Sequence, residues 1–437
     1  MKHKPLTATI SAVVLGLSLS ACGSSAESTA KDQSDSPTAE SSDEVVTLTF
    51  QSLSDQPAAI AATEEIVGAW NSANPDVQVK IVPAGWDGIY DKLITQFNGG
   101  AAPDIIHYEA ASIVPFARDG YLADLSPYMS EEKKADIPEG VLKTVTVDDQ
   151  IIAYPTEIQT YVAFANRGML EKAGIEVPAG DTLSWDELRD IAAKVSDGTS
   201  YGIGWGLKSP TATFMAMAPG FGGTFFEGTG VDATIRVEDP ELALPKLVDA
   251  MAHEDNSILP VTLTQSGSEA LATFYAGQVA MTIQGSYQAA NMAVDAPDDI
   301  DWVVLPPLAG PDGPAQAANP QTLSVSIDSK HIEESAAFID FFTDAQNLVK
   351  INQADALIPA TNSARELMSE ELGDENGWDI ILESGKYVTD APYLFVDQYP
   401  QWKDTIATPA FQRFLAQEND AAALAEQLVS GWNSISQ

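Results

Sequence analysis

The sequence predicts an α/β fold built in two domains, and three observations carry the prediction. From residue 45 onward, short apolar runs alternate with helical patterns in the order strand, helix, strand, helix, strand. That order belongs to a parallel sheet with crossover helices. After a polar N-terminal stretch about 390 residues remain, enough for two domains. A hydrophobic content of 45% supplies apolar surface for their cores.

Val45 to Phe50 reads as a buried strand. Pro57 to Ala73 reads as a helix, with Ile60, Val67 and Trp70 on one face and Glu64 and Glu65 on the other. Asn74-Pro75 stops it. Val77, Val79 and Ile81 alternate with polar residues, which is a strand pattern. Asp87 to Asn98 carries Ile89, Leu93 and Phe97 at four-residue spacing, and Gly99-Gly100 closes that helix. Ile105-Ile106 opens the next strand. A second block repeats the pattern, with strands at Ile151 to Tyr154 and Tyr161 to Ala165 and a short helix at Gly168 to Lys172. Ser184-Trp185-Asp186-Glu187 matches a capping box that starts a helix through Val195. Further helices are expected over Glu241 to His253, Glu269 to Ala276, Glu333 to Phe342 and Asn419 to Trp432. Strands are expected over Val279 to Ile283 and Leu323 to Ile327. Trp70 and Trp185 fall on apolar helical faces and are assigned to packing, while Trp86 stands at a helix start.

The first residues read as an address. Met1 to Pro5 is basic, and Leu6 to Ala21 is apolar or small without a charge, the layout of a signal peptide. The stretch ends Leu19-Ser20-Ala21-Cys22-Gly23, which resembles a bacterial lipobox. That resemblance implies acylation of Cys22 as the mature N-terminus. Cys22 is also the only cysteine of the 437 residues, so disulfides and cysteine-based zinc sites are excluded. Gly23 to Glu44 is Ser, Ala, Thr, Glu, Asp and Lys with little to bury, the composition of a linker. No later segment is apolar and long enough to span a membrane. A tether to the extracellular face of the cell membrane is therefore expected.

With 63 acidic and 22 basic residues the net charge is -41. Such a surface repels nucleic acid and anionic headgroups, so membrane contact is left to the lipid. His3, His107, His253 and His331 are isolated from one another, and no metal spacing exists. Phosphate loops, dinucleotide fingerprints and Gly-x-Ser-x-Gly elbows are absent, and no cofactor is implied.

Several motifs then fall in one order. Glu65 to Pro75 is a helix ending in Asn-Pro. Asp91-Lys92-Leu93 is followed by Gly99 and Pro103-Asp104-Ile105, and Gly120-Tyr121-Leu122 by Asp124-Leu125. Ile152-Ala153-Tyr154-Pro155 precedes Asn166. Gly277 to Ile283 precedes Gly285-Ser286-Tyr287. Together they resemble the carbohydrate-type extracellular solute-binding proteins of ABC importers, the group similar to maltodextrin-binding protein. The resemblance covers nearly the whole mature chain. It implies a two-lobed, class II periplasmic-binding-protein-like fold with a ligand cleft between lobes joined by hinge crossings. Lobe 1 would be 45–154 plus 319–372, and lobe 2 would be 155–318 plus 373–437. It also implies a protein that hands its ligand to ABC permease subunits and is not an enzyme, and a monomer is expected because the cleft must open.

In such a fold ligands meet the carboxyl ends of the strands. A sugar calls for flat aromatics against its C–H faces and for polar groups against its hydroxyls. The candidates are Ser52 and Asp55 after the first strand, Tyr108 and Glu109 after the Pro103-Asp104 strand, and Glu157 and Gln159 after the first hinge. Trp205, Tyr287, Asn319 and Trp402 complete the set, Tyr287 replacing the family's usual tryptophan. The strand-end segments contain no Arg or Lys, Arg167 and Lys208 being nearest, so a neutral ligand fits better than an anion. A cation such as a polyamine remains an alternative, because Glu109 and Glu157 stand beside aromatics. A surface glycosidase with a carboxylate pair is a third reading.

Overall fold

A computed structural model of the chain describes residues 45–436. The expected signal peptide, Cys22 and the linker to Glu44 lie outside the described residues. The described residues form one compact unit. Its principal strands, in chain order, are β1 (Val46–Ser52), β2 (Val77–Pro83), β3 (Ile105–Glu109), β4 (Tyr154–Ile158), β5 (Tyr161–Asn166), β6 (Tyr201–Gly204), β7 (Val279–Gly285), β8 (Trp302–Val304), β9 (Gln321–Val325) and β10 (Ile358–Pro359). The helices that position the cleft are α1 (Pro57–Ala73), α2 (Ile89–Asn98), α3 (Ala110–Arg118) and α4 (Trp185–Val195).

The strands form two sheets, one per lobe. The first runs β10-β4-β9-β3-β1-β2, the second β8-β5-β7-β6. β1 pairs parallel with β2, from Val46 against Val77 to Ser52 against Pro83, and parallel with β3. So far the sheet is the expected parallel one. The next strands correct that expectation, because β9 lies antiparallel to both β3 and β4. β9 returns from the other lobe without a crossover helix, and a strand entering that way carries no parallel constraint.

The first sheet is covered on both faces. α1 packs on one side with the helices Ile332–Phe342 and Ala345–Asp355, around Phe50, Trp70 and Phe338. α2 and α3 cover the other side around Leu93, Phe97 and Phe116. The buried face of α1 is Ala59, Ala62, Thr63, Ile66, Val67 and Trp70. Ile60 is 41% exposed, against expectation. The 3-4 spacing that keeps Trp70 inward selects Ala59 and Ala62 and turns Ile60 to solvent. α2 starts two residues later than expected, because Gly88 before it is left-handed at φ 69°.

Asp104 shows why the Pro103-Asp104 motif carries an acid. Its Oδ2 accepts from the Thr49 backbone N and Oγ1 at 2.8 and 2.7 Å, and its Oδ1 accepts from Ser329 at 2.6 Å. Burial pulls its carboxyl upward, but the hydrogen bonds from Ser329 and Thr49 outweigh it and hold the group below the usual range. β1, β3 and the turn after β9 are thereby locked together.

In the second lobe the capping box at Ser184 and Glu187 closes in both directions. α4 then lays Trp185, Leu188 and Ala192 into a core shared with Phe214, Phe411 and Trp432. Two chain passages between the sheets are plain. One is Gln159-Thr160, between β4 and β5. The other runs from Leu305 to Pro320, between β8 and β9. Gln316 staples the two. Its Oε1 accepts from the Tyr161 N at 2.8 Å, and its Nε2 donates to the Tyr161 O at 2.9 Å. The late segment touches both lobes, with Gly377 against Val304 and the helix Trp378–Ser384 on the helix Asn362–Leu372.

Candidate functional site

The ends of β1, β3, β4 and β7 meet the two passages in one cleft. It holds two adjoining cavities of about 870 and 340 Å³. Glu157, Gln159, Gln321 and Leu357 line both, so they form the wall between them.

Of the expected site residues, Tyr108, Glu109 and Asn319 line the larger cavity, and Asp55 and Tyr287 the smaller. Glu157 and Gln159 face both. Asn319 is held in place: its Nδ2 donates to Glu109 Oε2 at 3.0 Å, and its Oδ1 accepts from the Ala111 N at 3.0 Å. This joins the second passage to the end of β3. Ser52 does not line either cavity. It is buried at the end of β1, where its hydroxyl meets Ser54 Oγ at 3.2 Å and shapes the loop that carries Asp55.

Trp205 and Trp402 are corrected. Trp205 is buried in the second core, stacked on Trp185 at 5.8 Å and edge-on to Phe214. Trp402 is enclosed by Phe226 and Phe225, and its Nε1 donates to the Leu428 O at 3.1 Å. Both side chains point back among helices, where each ring buries its full area.

Other cleft residues had weaker signals. Trp86 follows the end of β2, the same strand-end rule that selected Asp55, and it lines the smaller cavity. Tyr90 begins the following helix and lines the larger one, as do Tyr161, Tyr393 and Tyr399. Tyr393 and Tyr399 sit on short turns without periodic pattern. The expectation that Arg167 and Lys208 are the nearest basic residues is also corrected, because Arg118 and Lys403 line the larger cavity. Arg118 crosses between the lobes, pairing with Asp397 and donating from Nη2 to the Phe395 O at 2.7 Å.

The smaller cavity is electrostatically uneven. Glu157, on β4, is 2% exposed, and its Oε1 has no hydrogen-bond partner among the described residues. Burial, and after it Asp355, pushes its carboxyl well above the usual range. Burial, and after it Asp55, pushes Asp355 up to about 6. His107 is pressed down to about 4 by burial, although Gln321 pulls the other way, so it is neutral at pH 7. Its Nδ1 accepts from the Leu53 N at 3.2 Å, which fixes the loop after β1. Two rings stay open to this space, Trp86 at 37% and Tyr287 at 36% exposure, one from each lobe.

Residues 54–349 match the family described as bacterial extracellular solute-binding protein. The chain belongs to that family. This extracellular solute-binding protein is 36% identical over 372 residues to a Streptomyces antibioticus protein called an uncharacterized lipoprotein in the oleD 5' region, covering 84% of this chain and 82% of that one. In fold it is similar to the sugar-binding protein MalE from Xanthomonas citri, with TM-score 0.79 and 20% identity over 90% of this chain and 97% of that one. It is also similar to the cyclic alpha-maltosyl-1,6-maltose binding protein from Arthrobacter globiformis, with TM-score 0.77 and 17% identity over 90% and 99%. The family binds solutes and is not one of enzymes, which removes the glycosidase reading. No described helix is long and apolar enough to cross a membrane.

Proposed function

We propose that this protein captures a carbohydrate in the cleft and delivers it to an ABC-type permease, working as a monomer tethered through acylated Cys22. The observation that carries the reading is the pair of open rings, Trp86 and Tyr287, facing one cavity from opposite lobes amid Asp55, Gln159 and Gln321. Aromatic faces against C–H surfaces and side-chain oxygens and amides against hydroxyls are what a sugar requires. Similar proteins are named for sugar binding, one of them for a cyclic maltosyl-maltose. Sugar contacts from both lobes would favour a closed arrangement, which a permease can distinguish from the empty one.

Residues 25–437 contain the whole compact unit and suit the test. Thermal unfolding is followed against a panel of mono-, di- and oligosaccharides, polyamines and glycerol phosphates. A ligand at about 100 times its dissociation constant adds roughly 2.7 kcal/mol of stability. One sugar class should raise the midpoint by several degrees, and Trp86→Ala or Tyr287→Ala should weaken that sugar about tenfold or more. A response to polyamines or phosphates alone would sink the sugar reading.

A further inference from the structure

The smaller cavity contains a charge arrangement that a neutral sugar does not use. Elsewhere in this molecule a buried carboxylate is fully partnered. Glu241 receives Arg236 Nη2 at 3.1 Å, the Thr224 N at 3.1 Å and the Glu238 N at 2.9 Å. Glu157 is as deeply buried and lines the cavity, yet its buried Oε1 has no hydrogen-bond partner among the described residues. An unpaired carboxyl in such a place is costly unless something meets it.

The other charged and titratable groups around this cavity come from different elements. Asp55 stands on the loop after β1, His107 on β3, Tyr287 on the turn after β7, and Asp355 at the last residue of the helix Ala345–Asp355. That helix points its carbonyl end, and its partial negative charge, toward the same space. No lysine or arginine lines the cavity among the described residues. The acids also do not form a group that could hold a metal ion. Three separated carboxyls with two open rings match a cationic group that takes hydrogen bonds singly and lies against aromatic faces, which an ammonium does.

We infer that the sugar carried by this protein bears a basic nitrogen, and that Glu157, Asp355 and Asp55 bind it as an ammonium between Trp86 and Tyr287. The inference rests on the carbohydrate reading above. In the empty site burial raises both the Glu157 and Asp355 carboxyls, Asp355 to about 6, so Asp355 holds protons near and below that pH. The incoming ammonium takes their place, so binding releases a proton and weakens as pH falls below about 6, where Asp355 is protonated.

The test uses calorimetry on residues 25–437 with matched ligands: glucose, glucosamine and N-acetylglucosamine, and their β-1,4-linked trimers, with maltotriose and spermidine beside them. The free-amine form should bind roughly tenfold to a hundredfold more tightly than its hydroxyl and N-acetyl counterparts. Buffers of different ionisation enthalpy should reveal the released proton near pH 6, where Asp355 is part-protonated in the empty site. The preference should persist at 0.5 M salt, where attraction to the general negative surface is screened. Glu157→Gln and Asp355→Asn should each pull the ratio of amine to N-acetyl affinity toward one. Equal or tighter binding of the hydroxyl or N-acetyl forms overturns the ammonium site and leaves sugar capture standing. Binding of spermidine alone, or of nothing in the series, overturns both.

Discussion

Trp402 and Trp86 show how differently one residue type is used here. Trp402 is wholly buried, with its indole N–H committed to a backbone carbonyl, whereas Trp86 leaves a third of its surface open beside His107 and Tyr108. Trp402→Ala should therefore cost about 3–5 kcal/mol of stability by emptying a packed core. Trp86→Ala should cost less than about 1 kcal/mol and act on ligand affinity. Denaturant melts of both variants check this, and equal losses would place Trp86 in the core. Sequence alone could not separate the two rings. Position after a strand or near a late helix places a residue in an element but does not say toward which side its ring turns. Tyr108 and Glu109 were selected by the strand-end rule, which concerns backbone position, and Asn319 by its place at the second crossing, and all three line the larger cavity. Arg118 was missed because it lies at the far end of α3, nine residues beyond the strand that the rule inspects.

Elements settle by local pattern where packing agrees with it. The capping box, α4 and the strand-helix alternation through β3 follow from period and punctuation. The antiparallel insertion of β9 does not, since it depends on where a chain returns after more than 150 residues in other elements. Close approach of elements was equally hidden. Gly202 on β6 lies so near α4 that a Cβ there would meet the Ala192 backbone at 2.3–2.4 Å. The helix must therefore shift if any side chain is added. Gly202→Ala should cost about 1–3 kcal/mol by overpacking, and Gly202→Val more. The measurement is the unfolding midpoint in denaturant. An unchanged midpoint for both would mean that α4 can move away freely, against the tight burial of Leu188 and Ala192.

At the scale of the whole molecule, function depends on how the lobes are held across the cleft, and Arg118 is the side chain that reaches over. Its α3 belongs to the first lobe, while Asp397 and Phe395 follow Leu394 of the second core. The pair is partly exposed, so its contribution is about 1 kcal/mol or less, with the hydrogen bond to the Phe395 carbonyl added. A contact of that size tips a two-state equilibrium without locking it, which suits a protein that must both capture and release. Arg118→Gln and Asp397→Asn should each loosen the joined arrangement, weaken ligand binding by about fivefold or less and speed dissociation. Because Arg118 also lines the larger cavity, the double variant decides between two roles. If the pair acts as a link between lobes, the two losses will not add. If Arg118 instead touches ligand directly, its loss will exceed that of Asp397 and the effects will be independent. Distance labels placed on α2 and on the helix Ala421–Ile435 should read a wider mean separation in both single variants, and unchanged distances would rule out the linking role.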